Sequence, residues 1–164
     1  MFPNCCVEFI LNSSPASLYI SCFIDSISSF SLLPNDISSS FYRKGFTRYP
    51  LKDNEKIRVD VQMETLFSQY EGSWKNLNGL ISGVLLFGEL LRIEPFDKYS
   101  DLLSYLVLSG ELTRKGLLPP YLTSDSIDEL KAAFSLALKR GNYQNFTSFI
   151  ERAVIHSYKE LFNV

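Results

Sequence analysis

The densest set of chemically capable side chains lies at residues 94–102, Glu-Pro-Phe-Asp-Lys-Tyr-Ser-Asp-Leu. Glu94, Asp97 and Asp101 are carboxylates, the groups that hold hard cations or move protons. Lys98 adds an amine. Three negative charges against one positive leave the segment at −2, so ATP phosphates would meet net repulsion. Ser100 and Asp101 are normal N-cap residues, which predicts a helix start beside them. A second set, residues 41–50, FYRKGFTRYP, alternates aromatic and basic side chains around Gly45. That pattern predicts a hairpin or an extended flap. Arg43, Lys44 and Arg48 read either as a solvated face or as a patch that steers an acidic partner.

Other reactive side chains point nowhere. His156 is the only histidine, which excludes a His-rich metal site and a two-histidine mechanism. It reads as a surface or half-buried helix residue. Cys5, Cys6 and Cys22 form an odd set without C-x-x-C spacing, so neither a disulfide framework nor a zinc site is expected. They read as small apolar residues in a reducing compartment. There is no nucleophile elbow, P-loop or dinucleotide fingerprint. Trp74 reads as a packing anchor.

The elements that must position these residues are helical. Val59, Met63, Leu66, Phe67 and Tyr70 recur at helical spacing. From residue 74 to 91, Leu77, Leu80, Ile81, Val84 and Leu85 form one face, and Leu86, Phe87 and Leu90 add apolar groups elsewhere. A helix apolar nearly all round belongs at the centre of a domain. Pro95 interrupts it, and residues 94–100 form a loop. The next helix runs from about Asp101 to about Lys115, with Gly116 as its cap and Pro119 and Pro120 barring continuation. Ser126-Ile127-Asp128-Glu129 has capping-box spacing. Ile127, Leu130, Phe134, Ala137 and Leu138 give that helix its buried face, and Gly141 ends it. The last helix carries Phe146, Phe149, Ile150, Ala153, Val154 and Leu161 on one stripe.

Composition sets the outer bounds. The chain has 164 residues, 46% hydrophobic and 21% charged, which excludes wholesale disorder. A net charge of −2 argues against nucleic acid as main partner. No stretch reaches membrane-span length, since the run at 80–91 is short and broken by Glu89. The expectation is a soluble, cytoplasmic protein, with delivery into a host cell left open. Residues 1–40 hold eleven serines and three acids but no Lys or Arg, while all 16 basic residues follow Ser40. They are expected to be a divergent N-terminal segment, and 41–164 the helical domain.

The order of flap, helix, central helix, Glu94-Pro95-Phe96 loop, helix, Gly-Leu-Leu-Pro-Pro and two helices resembles the Fic/Doc (Fido) family. That family carries H-P-F-x-[DE]-G-N-G-R between two core helices. LLSYLVLSGELTRKGLLPP, residues 102–120, looks like its post-motif helix and exit, and FYRKGF, residues 41–46, like its flap. The likeness spans roughly residues 41–155. It implies an all-α bundle of about five helices with a small β-hairpin-like flap. It also implies that Phe96 is buried beneath the joint between the central helix and the next.

Family members mostly transfer AMP from ATP to a protein hydroxyl, with magnesium. Here Glu94 stands at the catalytic histidine position, and a carboxylate of pKa near ~4.3 is the poorer base. Lys98 replaces the acidic magnesium ligand. Tyr99, Ser100 and Asp101 replace the Gly-Asn-Gly that approaches phosphate, and Leu102 replaces the phosphate-pairing arginine. On this pattern Ser100 or Asp101 caps the helix end that the family leaves open. Pro95 and Phe96 remain as structural motif residues. The resemblance therefore implies a degenerate site in a non-catalytic interaction or regulatory protein. No cofactor is expected. A protein partner would bind the flap residues Phe41, Tyr42, Arg43, Lys44, Gly45 and Phe46 by strand addition. Two other readings stay open. One is a transferase of altered chemistry that uses ATP and magnesium: Glu94 is the base or a ligand, Lys98, Ser100 and Asp101 hold the nucleotide, and Asp97 or Asp101 holds the metal. The other is an unrelated helical interaction domain. Nothing in the sequence sets the oligomeric state.

Overall fold

The structure, a computed structural model, describes residues 42–50 and 56–162. The expected N-terminal segment 1–40 and Phe41 of the flap lie outside the described residues. Five α-helices occur among the described residues: α1 Val59–Gly72, α2 Gly79–Ile93, α3 Ser100–Arg114, α4 Ile127–Arg140 and α5 Gln144–Phe162. The fold class is all-α. None of these helices is long and apolar enough to cross a membrane.

α2 is central because both of its sides are buried. One side, with Val84 and Phe87, packs against Leu108 and Leu112 of α3, Ala137 of α4, and Phe146, Phe149, Ile150 and Val154 of α5. The other side, with Leu86, Leu90 and Ile93, packs against Val59, Met63 and Leu66 of α1. Each large side chain buried this way stabilises the fold by roughly 1.5–3 kcal/mol. Phe87 and Phe146 stack with centroids 5.7 Å apart.

The face expected on α2 needs correction. Leu77 and Ile81 are exposed, while Gly79, Ser82, Gly83 and Gly88 are buried. Small residues let α3 and α5 approach closely. A Cβ on Gly83 would sit 3.0 Å from Leu108 Cδ1, and one on Gly88 2.8 Å from Tyr143 Cε1. The helix also starts later than the apolar pattern suggests. Trp74–Asn76 is a separate 3-10 turn, and Asn78 caps α2 by accepting from the Leu80 N–H at 2.9 Å.

Glycine stops appear where expected. Gly116 (φ 79°) and Gly141 (φ 63°) adopt the left-handed conformation that closes α3 and α4. The capping box predicted at Ser126 and Glu129 is not formed. Instead the Ser126 hydroxyl accepts from the Thr123 N–H at 3.0 Å, one turn earlier, and Glu129 pairs with Arg152 of α5. On α4 Ile127 is exposed, and on α5 Leu161 is exposed, while the rest of the predicted α5 stripe is buried.

The flap is not a hairpin turning at Gly45. Among the described residues it forms no strand, only an antiparallel bridge from Phe46 to Arg58. Its backbone instead serves the end of α2, whose last carbonyls lack partners within the helix. Tyr49 N–H donates to Arg92 O at 3.1 Å, Arg48 N–H to Ile93 O at 3.4 Å, and Arg43 N–H to Pro95 O at 2.9 Å.

Candidate functional site

Two chain reversals bound the site. α2 ends at Glu94, held at φ 51°, and Pro95 follows, fully buried. α3 begins after Tyr99, held at φ 60°. Both residues occupy the left-handed region, where a residue with a Cβ costs about 1–2 kcal/mol. The short stretch between α2 and α3 imposes both.

The flap lies against this stretch and encloses an open groove of about 390 Å³ lined by Arg43, Phe46, Thr47, Arg48, Glu94, Phe96 and Asp97. The predicted residues Arg43, Phe46, Glu94 and Phe96 thus share one surface. Arg43 is the clamp: its Nε donates to Glu94 O at 2.5 Å and its Nη2 to Phe46 O at 2.7 Å and Ile93 O at 3.2 Å. Arg48 Nε stands 3.6 Å from the Glu94 carboxylate in an exposed ion pair. Such a pair contributes about 0–1 kcal/mol, so it opens readily to a competing partner. Phe96 is half-buried, with its ring 6.0 Å from that of Tyr42. It was expected to be buried; Pro95 fills the interior position instead. Burial raises the Tyr42 phenol above its ordinary pKa, with a smaller push from Glu64.

The remaining predicted residues sit outside the groove lining. Lys98 and Asp101 are exposed, and Lys44 and Gly45 are exposed on the flap. Ser100 is buried, and its hydroxyl accepts from Phe96 N–H at 3.4 Å. The expected side-chain cap on α3 is therefore absent. Tyr99 occupies the N-cap without a side-chain bond, because Ser100 turns inward to brace the loop. The flap's N–H groups at Arg43, Thr47, Arg48 and Tyr49 already donate within the chain, which limits the strand addition expected there. Among the described residues no three of His, Cys, Asp and Glu converge into a metal-holding group. His156 is exposed, with Nε2 3.8 Å from Glu160 Oε1.

Sequence reasoning missed two polar networks in the bundle. Arg92 is 1% exposed, yet its Nε and Nη2 donate to Glu89 Oε2 at 2.8 and 2.6 Å. Its Nη2 also reaches Gln62 Oε1, and its Nη1 reaches Tyr49 O at 3.2 Å. Tyr143 OH donates to Glu89 Oε1 at 3.4 Å; burial, then the Glu89 charge, push that phenol up to about 12. These residues line part of a second cavity, of about 210 Å³, between α1 and α2. The other network centres on Glu111, 4% exposed, which accepts from Ser82, Tyr70 and Arg114 at 2.7–2.9 Å. Burial and then the Glu111 hydrogen bond push Tyr70 up to about 12. The available signal was Glu89 and Arg92 three apart in an otherwise apolar helix.

No protein-family model matches the chain, and no curated protein is significantly similar to it.

Proposed function

We propose that this is a Fic-like helical protein whose nucleotide site is degenerate, and that it acts by binding a protein partner in the groove between the flap and residues 94–97. The observation that carries the reading is the groove itself, where the flap's Arg43, Phe46 and Arg48 meet Glu94 and Phe96. The Fic likeness draws support from the backbone. Tyr99 holds φ 60°, the conformation glycine adopts freely, and the family motif has glycine at that position.

The residues present do not fit ATP and magnesium. Lys98 offers an exposed amine where a metal ligand is needed, and Leu102 is an exposed apolar side chain where an arginine would hold phosphate. With the main-chain donors committed, side chains carry recognition. Phe46 is 50% exposed and offers an apolar anchor, while the exposed Arg48 in the lining, with Lys44 exposed beside it on the flap, favours an acidic segment bearing an aromatic or aliphatic residue. We place the protein in a reducing, cytoplasmic setting on its unpatterned cysteines.

Two measurements test this. Calorimetric titration with ATP and magnesium is expected to show no binding; micromolar affinity would overturn the degenerate-site reading. A library of fluorescent acidic peptides with one apolar residue is expected to yield a binder that Phe46→Ala with Arg48→Glu weakens about a hundredfold, two contacts of roughly 1.4 kcal/mol each. Binding unchanged in that variant would sink the groove as the docking surface.

A further inference from the structure

The cavity between α1 and α2 shares no lining residue with the flap groove. We propose that it is a binding site for a small organic ammonium ion with an aromatic or apolar body. Its volume of about 210 Å³ suits a compact ligand. Sites for drug-sized molecules run to roughly 300–1,000 Å³. Leu66, Leu85 and the half-buried Trp74 give it apolar wall, and Glu89 with Arg92 and Gln62 gives it a polar end.

The hydrogen-bond inventory selects the sign of the ligand. Arg92 is the cation of the cavity, but its side chain is only 1% exposed, and four of its five N–H donors already bond to Glu89, to Gln62 and to the Tyr49 carbonyl. An anion finds that charge engaged. Glu89 is different. Its Oε2 takes both Arg92 bonds, while among the described residues Oε1 has only the Tyr143 hydroxyl at 3.4 Å, a long contact. One oxygen of a carboxylate that is only 17% exposed thus keeps acceptor capacity at the cavity wall. An ammonium there gains a charge-assisted hydrogen bond, and an attached ring gains contact with Trp74. A neutral alcohol gains the contact without the charge.

Trp74 is the only tryptophan of the chain, so intrinsic fluorescence reports directly on this cavity. The full chain is titrated with benzylammonium, benzyl alcohol and benzoate. Benzylammonium is expected to give a saturable change with a dissociation constant of about 1 mM or below, and benzyl alcohol one at least about tenfold weaker. Benzoate is expected to give none. Glu89→Gln is expected to weaken benzylammonium about tenfold. Because that change also strips Arg92 of its counterion, Thr65→Arg provides the second variant. Thr65 is exposed on the cavity lining, and its hydroxyl donates within its own helix, to Val61 O. The added positive charge is expected to cut benzylammonium affinity about tenfold while the far-ultraviolet dichroism stays unchanged. Absence of saturation by about 10 mM, benzoate binding as tight as benzylammonium, or a folded Thr65→Arg with undiminished affinity each overturns the proposal.

Discussion

At the residue scale, Arg92 is the most consequential side chain. Its guanidinium ties α2 to α1 through Gln62 and to the flap through the Tyr49 carbonyl, with Glu89 as counterion. Removing one member of such a pair leaves a buried charge without compensation. Arg92→Met is therefore expected to cost about 3–5 kcal/mol in urea denaturation, whereas Glu89→Gln with Arg92→Met recovers most of that loss. A cost under about 1 kcal/mol for the single variant would show that the pair does not staple the fold. None of this was legible in the sequence. An arginine near a helix end is normally a solvated, dipole-matched residue, and Arg92 does stand in the last turn of α2. What buries it is the flap backbone laid across that end, a long-range event that local pattern does not encode. Glu94 and Tyr99 show the converse. Pro95 made a break at Glu94 legible, but the left-handed conformation at both residues comes from closing the α2–α3 connection.

At the scale of elements, the helix inventory and its glycine and proline stops were readable, because those residues act through local backbone chemistry. The inner face of α2 was not. Hydropathy weights large apolar side chains and drew the face through Leu77 and Ile81 as well as the buried Val84, yet contact with α3 is also made at Gly79 and Gly83, where side chains are smallest. Gly79 is the tightest case: an added Cβ would meet Lys115 Cβ at 2.5 Å. Gly79→Ala is expected to destabilise by about 1–3 kcal/mol, as overpacking does. Gly72, at the end of α1, has nothing within 4 Å of such an atom. Gly72→Ala is expected to be neutral or to stabilise by up to about 1 kcal/mol. Melting curves of the two variants check the contrast, and equal shifts would contradict the packing described. The flap was legible as a separate aromatic and basic segment, but its partners were not: Thr47 N–H donates to Ile57 O, while Arg43, Arg48 and Tyr49 donate to carbonyls more than forty residues away.

At the scale of the whole molecule, two phenols link stability to alkaline pH. Tyr70 and Tyr143 are each pushed from 10.0 to about 12, by burial first and by Glu111 or Glu89 next. Both stay protonated in the folded protein where the unfolded chain already ionises. Their contribution is complete below pH 10.0 and is lost as pH rises toward about 12. The urea midpoint is expected to fall across that window, and to fall less in Tyr70→Phe with Tyr143→Phe; an unchanged slope would count against this linkage. The short connection at residues 94–99 has a further consequence, for the order in which the chain acquires structure. α2 and α3 are joined by that short stretch, and at their far ends the Lys115 ammonium donates to Lys75 O at 2.6 Å. Closing a short loop costs little entropy, so this pair, like α4 and α5 across residues 141–143, is a cheap tertiary contact to make early. Leu108→Ala, inside it, is expected mainly to slow refolding. Val154→Ala, where α5 completes the core, is expected mainly to speed unfolding. Chevron plots in which both changes fall on the same limb would place the nucleus elsewhere. On this account the stretch that carries the candidate groove is also a turn around which the molecule assembles early, so changes to its length alter the rate of folding as well as the shape of the site.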